Sequence, residues 1–121
     1  MNVEILKART KAFAVASVKF YKALPKTEEN QVPGKQYLRS STPVASNYRA
    51  ACRGRSDREF YSRLCIVAEE TDESLFWLEL FTEAELISKD RCPELMEERR
   101  QLVKIFSSSK RSMDQRLNKA S

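Results

Sequence analysis

Apolar residues recur along this chain at alternating steps of three and four, the spacing that lines one face of a helix. The longest such stretch runs from Ser56 to Ser88. Ser56-Asp57-Arg58-Glu59 reads as a capping box, a hydroxyl for the unpaired amides of a first turn with a Glu three residues on. Neither Pro nor Gly follows until after Ser88, so nothing obliges a helix to stop. Phe60, Leu64, Val67, Thr71, Leu75 and Leu78 form its seam. Tyr61, Cys65, Ala68, Phe76, Leu80, Ala84 and Ile87 widen the seam into a stripe that needs more than one partner helix. At ~1.5 Å per residue the rod is about 50 Å long.

Three more helices follow from the same rhythm. The spacing predicts one over 3–24, capped by Asn2 and ended by Pro25, with Ile5, Ala8, Ala12, Ala16, Phe20 and Ala23 as its buried line. Leu6, Phe13 and Leu24 lie beside that line. Residues 25–33 read as a polar loop closed by Pro33-Gly34. A second helix spans 35–53, with Gly34 before it and Gly54 where a left-handed C-cap belongs. Its Tyr37, Ser41, Val44, Tyr48 and Ala51 share one side. Lys35, Arg39, Thr42, Ser46, Arg49 and Arg53 share the other. Pro43 predicts a kink near 39–43, with Ser40, Ser41 or Thr42 bonding freed carbonyls. After a tight connection at Lys89–Cys92, Pro93 and Glu94 open a helix over 93–117. Leu95, Leu102, Val103, Ile105, Phe106, Met113 and Leu117 supply its apolar line. Ser107-Ser108-Ser109 interrupts that line, which predicts fraying or support from another chain, with disorder after Asn118. The reading is all-α: one domain over 1–121, an antiparallel up-down-up-down four-helix bundle with a long central third helix.

Composition removes whole classes of chemistry. There is no histidine, which excludes His-based triads and His general bases. Two glycines twenty residues apart admit neither a Walker loop nor a Gly-x-Gly-x-x-Gly turn. Cys52, Cys65 and Cys92 contain no Cys-x-x-Cys pair and read as reduced thiols rather than zinc ligands. Carboxylates are plentiful, but on helices this acidic they form solvated faces. The expectation is a non-enzyme with no metal and no cofactor. Lys7, Arg9 and Lys11 before Ala12–Val18 superficially suggest a secretory leader. The apolar run is short, and Lys19 and Lys22 continue the helix, so a cytoplasmic protein with no membrane segment is expected.

The formal charge of +5 hides segregation. Through residue 63 there are 13 Lys/Arg against 5 Asp/Glu, net +8; over 64–98 there are 2 against 11, net −9; from 99 on there are 7 against 1, net +6. An acidic belt therefore lies between basic segments. In one reading belt and basic stripes pair with each other, within a chain or between chains. In the other, Lys35, Arg39, Arg49, Arg53, Arg55 and Arg58 stay free and bind nucleic-acid phosphates in a salt-sensitive way. The aromatics fall mostly on buried lines and offer no stacking platform. Glu69, Asp72, Glu73, Glu79 and Glu83, with Phe76 and Trp77 among them, suit a basic flank of a neighbouring subunit. That suggests a ring-like homo-oligomer held by heterologous contacts.

The runs Gly34-Lys-Gln-Tyr-Leu-Arg39-Ser-Ser, Val44-Ala-Ser-Asn47-Tyr-Arg-Ala-Ala, Gly54-Arg-Ser56-Asp57-Arg-Glu59-Phe60 and Glu70-Thr-Asp-Glu73-Ser-Leu75-Phe-Trp77-Leu-Glu79-Leu resemble the ribosomal-RNA intervening-sequence family over roughly residues 5–115. The resemblance implies a four-helix bundle that assembles as a homopentamer. It also implies kinship with the accessory protein of diversity-generating retroelements, a basic bundle that associates with a reverse transcriptase and with RNA or DNA. Arg39 and Asn47 match the family pattern. Arg49-Ala50-Ala51 stands where many members have Ala-Glu-Gly, so a role for that Glu does not transfer. The functional expectation is an oligomeric bundle that binds nucleic acid or a nucleoprotein. The alternative is an interaction scaffold whose charged stripes serve only self-assembly.

Overall fold

The computed structural model describes residues 2–88 and 93–120. The described residues hold helices and no strand, in the order α1 (Val3–Ala23), α2 (Glu28–Ser41), α3 (Pro43–Cys52), α4 (Asp57–Glu83) and α5 (Pro93–Ala120). Between α2 and α3 only Thr42 intervenes, and it keeps right-handed helical angles (φ −67°, ψ −36°). The two follow each other as one rod interrupted at Thr42, so there are four rods. The hydroxyls of Ser40 and Thr42 bond the carbonyls of Tyr37 (3.0 Å) and Leu38 (2.7 Å) at this junction. Neither is the carbonyl of Arg39, which lies four residues before the proline.

Start and stop signals work as their chemistry requires. Asn2 Oδ1 accepts from the Ile5 amide at 2.8 Å, and Leu24, next to Pro25, turns to extended angles (ψ 142°). Ser56 Oγ accepts from the Glu59 amide at 3.1 Å, while Glu59 reaches back to the Arg55 amide at 3.0 Å. The box is thus closed one residue further out than its usual form.

Rods α1, α2–α3, α4 and α5 form a square in which each packs closely on two neighbours, while diagonal partners meet in the core, where Phe20 lies edge-on to Phe81 and Tyr48 lies beside Phe106. Cross-rod bonds show opposed directions. Ser17 and Tyr21 of α1 meet Tyr37 and Gln31 of α2 (2.6 and 3.1 Å). Ser40 and Asn47 meet Ser74 and Glu70 of α4 (3.3 and 2.8 Å). At the far end Arg116 of α5 pairs with Asp57 of α4 at 3.2 Å.

The core has two apolar halves. One gathers Leu6, Phe13, Val44, Tyr48, Leu64, Val67, Leu102, Phe106 and Met113, and the other Phe20, Leu24, Tyr37, Leu78, Phe81 and Ile87. Between them each rod contributes a buried polar residue: Ser17 from α1, Ser40 and Ser41 from α2, Thr71 and Ser74 from α4, Arg99 from α5. Most of these hydroxyls are satisfied locally, such as Thr71 on the Val67 carbonyl (2.7 Å). Arg99 is 2% exposed, and its Nε has no hydrogen-bond partner among the described residues. Burial first, then repulsion from Arg100, holds its guanidinium below the ordinary arginine range, against the pull of Glu79, Asp72 and Tyr37.

Several sequence expectations need correction. The buried line of α1 is Leu6, Thr10, Phe13, Ser17, Phe20 and Leu24, and the expected Ile5, Ala8, Ala12, Ala16 and Ala23 face outward. Burial gain scales with area, so four large side chains outweigh a row of alanines. Thr10 and Ser17 join them because their hydroxyls find partners.

The second rod starts at Glu28, not 35, and takes Pro33 into its interior. Thr27 precedes two acids in the first turn, and Pro33 and Gly34 are buried. At Gly34 a Cβ would lie 2.9 Å from Leu24 Cδ1, so glycine is what lets α1 come this close. Gly54 is not left-handed. It stands where a Cβ would crowd the Ala51 carbonyl (3.0 Å) and the Phe60 amide (3.2 Å).

The third rod is unbroken but ends at Glu83, not 88. Glu85 takes φ 57°, Leu86 bonds back to Phe81 (3.0 Å) and Glu85 to Thr82 (3.2 Å). That is a Schellman stop without the glycine that would have announced it. The last rod does not fray at Ser107–Ser109; it continues to Ala120 because Met113 resumes the buried line two turns past Phe106. The expected connection over Lys89–Cys92, and Cys92 itself, lie outside the described residues.

Candidate nucleic-acid interface

The outward side of the α2–α3 rod carries Lys35, Arg39, Ser46, Arg49 and Arg53, all exposed. Its inward side buries Tyr37, Ser41, Val44, Tyr48 and Ala51 at 4% exposure or less. Eighteen residues at ~1.5 Å each give a cationic ridge about 27 Å long. Its α3 end adjoins the start of α1, because the two rods run in opposite senses. There Arg49 and Arg53 meet Lys7 and Lys11 across a groove of about 510 Å³, with Glu4 and Ala8 on its floor and rim. Lys7 is bonded to Glu4 (3.5 Å), the only acid of this groove.

The six expected cations therefore fall into three sets. Arg49 and Arg53 are joined in the groove. Lys35 and Arg39 lie along the ridge, two or more turns away. Arg55 and Arg58 are exposed around the corner, in the link to α4 and its first turn. Lys7 and Lys11, which complete the groove, belong to the site although charge counting on the second helix missed them. Their signal was a pair of lysines four residues apart on α1.

None of the six cations makes an ion pair among the described residues. The pairs present are Lys7–Glu4, Arg9–Glu98, Arg100–Glu97 and Arg116–Asp57. The exposed acids of the belt likewise form no ion pair among the described residues. Glu69, Asp72, Glu73, Glu79 and Glu83 are exposed along α4, while Phe76 is 56% exposed and Trp77 half-buried against it, ring centroids 4.9 Å apart and edge-on. Belt and basic stripe thus do not neutralise each other inside one copy. Arg53 and Arg49 also suit the negative end of the α3 dipole.

Glu70 is the exception in the belt. It is half-buried and accepts from Asn47 Nδ2 at 2.8 Å, tying α3 to α4. Burial raises its pKa, Asn47 opposes this, and the charges of Glu73 and Glu69 add to the rise. Tyr48 is pushed up by burial and by its bond with Cys52, so it stays a neutral phenol. No group of carboxylates and thiols among the described residues is placed to hold a metal ion, and no helix is long and apolar enough to cross a membrane. The surface offers several mobile cations along a shallow ridge and groove, a geometry for repeated phosphates rather than for enclosing a small substrate.

A family model described as 23S rRNA-intervening sequence protein matches residues 4–108. No curated protein matches the chain. Among solved structures, the chain is similar to a protein of unknown function from the S23 ribosomal protein family of Bacteroides thetaiotaomicron VPI-5482. The two are 31% identical, with 86% of this chain and 96% of that one covered and a TM-score of 0.79. With its four rods, its unpaired basic ridge and this match over most of its length, the chain belongs to the 23S rRNA-intervening sequence protein family.

Proposed function

We propose that this protein is a non-enzymatic, cytoplasmic helical bundle that binds the phosphate backbone of RNA or DNA through Arg49, Arg53, Lys7 and Lys11. Lys35, Arg39, Arg55 and Arg58 extend the track. The observation that carries the reading is that Arg49, Arg53, Lys7 and Lys11 converge on one groove with Glu4 as its one acid, and that of the eight cations only Lys7 makes an ion pair among the described residues. Phe76, the aromatic side chain most exposed among the described residues, lies on the acidic face of α4 and not on that surface, so contacts are electrostatic and independent of base sequence. The family's name, which refers to 23S rRNA, favours RNA as the first ligand to try.

The bundle acts as an assembly of several copies, five by the resemblance drawn from its sequence, with a reverse transcriptase as the protein partner that resemblance implies. An exposed acidic face that forms no ion pair among the described residues supports self-association. A gel-shift series compares the natural chain with Arg49→Glu combined with Arg53→Glu, with molecular mass followed by light scattering. Loss of the complex at unchanged mass supports the reading. Undiminished binding would overturn it, and loss of mass with the complex would assign the two arginines to subunit contacts.

A further inference from the structure

Two apolar surfaces that the bundle leaves open carry opposite charge. On α1, Ile5 (49%) and Val15 (47%) are exposed on the side turned from the core. Beside Val15, Lys11 and Lys19 flank a shallow groove of about 510 Å³ floored by Ala8, Ala12 and Ala16. From Val3 to Ala23 there are five Lys and Arg against one acid. On α4, Phe76 projects into solvent, held edge-on by Trp77. Asp72, Glu73 and Glu79 lie one turn away from it on the same face. No Lys or Arg occurs from Leu64 to Ser88, and none of these three acids forms an ion pair among the described residues.

We propose that Phe76 of one copy seats in the α1 groove of the next, with Asp72, Glu73 and Glu79 set against Lys19. The inference rests on the reading that copies assemble, and it names the two faces that do so. An exposed Phe ringed by unpaired carboxylates is poorly placed in water. Its complement is an apolar hollow ringed by cations, and this chain presents one. The two cannot meet within a copy, because α1 and α4 occupy opposite corners of the square and meet through the core, at Phe20 and Phe81, with Val15 and Phe76 exposed on their outer sides. Each copy must then give its knob to one neighbour and its groove to another, a head-to-tail contact that closes into a ring or runs on as a filament.

The test is the mass of the full chain after nuclease treatment. The natural chain sediments above its 14.0 kDa monomer. Phe76→Asp, which removes the knob, and Ala12→Arg, which fills the groove, each give monomers with unchanged circular dichroism. Val15→Arg is a second block of the groove. An equimolar mixture of Phe76→Asp and Ala12→Arg has one intact knob and one intact groove, so it forms a dimer and nothing larger. A knob or groove variant that keeps the natural mass, or a mixture that stays monomeric, overturns this interface. A natural chain that is itself monomeric overturns the assembly reading along with it. Phosphate binding at Arg49 and Arg53 is read separately, on the monomeric Phe76→Asp variant.

Discussion

Glu70 shows how a single side chain reports on its setting. Its carboxylate is half-buried, its hydrogen-bond partner is the neutral Asn47, and two like charges stand nearby. The folded chain therefore holds this proton more tightly than the unfolded chain does. As pH rises from the ordinary glutamate value through the raised one, the unfolded state ionises first and stability falls. Glu70→Gln keeps an acceptor for Asn47 and removes the charge. It is expected to be more stable than the natural chain at neutral pH and to lose the decline over that window. Urea midpoints from about pH 4 to pH 7 check this. A variant less stable at neutral pH would contradict it.

Arg99 is the second case, a buried guanidinium whose Nε lacks a partner. Replacing buried charge with apolar volume is commonly neutral or stabilising, so Arg99→Met is expected to gain about 1 kcal/mol or more. A loss of that size in urea unfolding would show that the guanidinium has a partner in solution. Its place was legible: Leu95, Arg99, Leu102 and Phe106 follow steps of four, three and four. Residue type argued against burial there, and the interval was the better guide.

At the scale of elements, the sequence located the rods but not always their faces or ends. On the α2–α3 rod every expected inward residue is buried, because large and small residues alternate there with charges on the far side. On α1 the alanines obscured the choice, since alanine is compatible with either side. Phe13→Ala is therefore expected to cost about 3–5 kcal/mol, whereas Val15→Ser, on the open face, changes monomer stability by no more than about 0.5 kcal/mol. Equal costs in urea unfolding would contradict the orientation. The early start at Glu28 and the stop at Glu83 were hidden for a related reason. Pro33 and Glu85 each break a local rule, the first buried beside the Gly34 that lets α1 come close, the second within a six-residue hydrogen-bonded cap.

At the scale of the molecule, two apolar halves separated by a polar layer give a scaffold that holds its charges apart. The basic ridge on α2–α3 and the acidic face of α4 were both legible as charge runs. What was not legible was the groove, since Lys7 and Lys11 are 38 to 46 residues from Arg49 and Arg53 and only the antiparallel packing of α1 against α3 unites them. The direct measurement of the account's central claim is the affinity of the chain for a single-stranded RNA over a range of salt. Four groove cations displacing counterions predict a slope of log K against log salt near −3, and Arg49→Glu with Arg53→Glu should flatten it by at least about 1. A slope near zero, or one that the double reversal leaves unchanged, would contradict it.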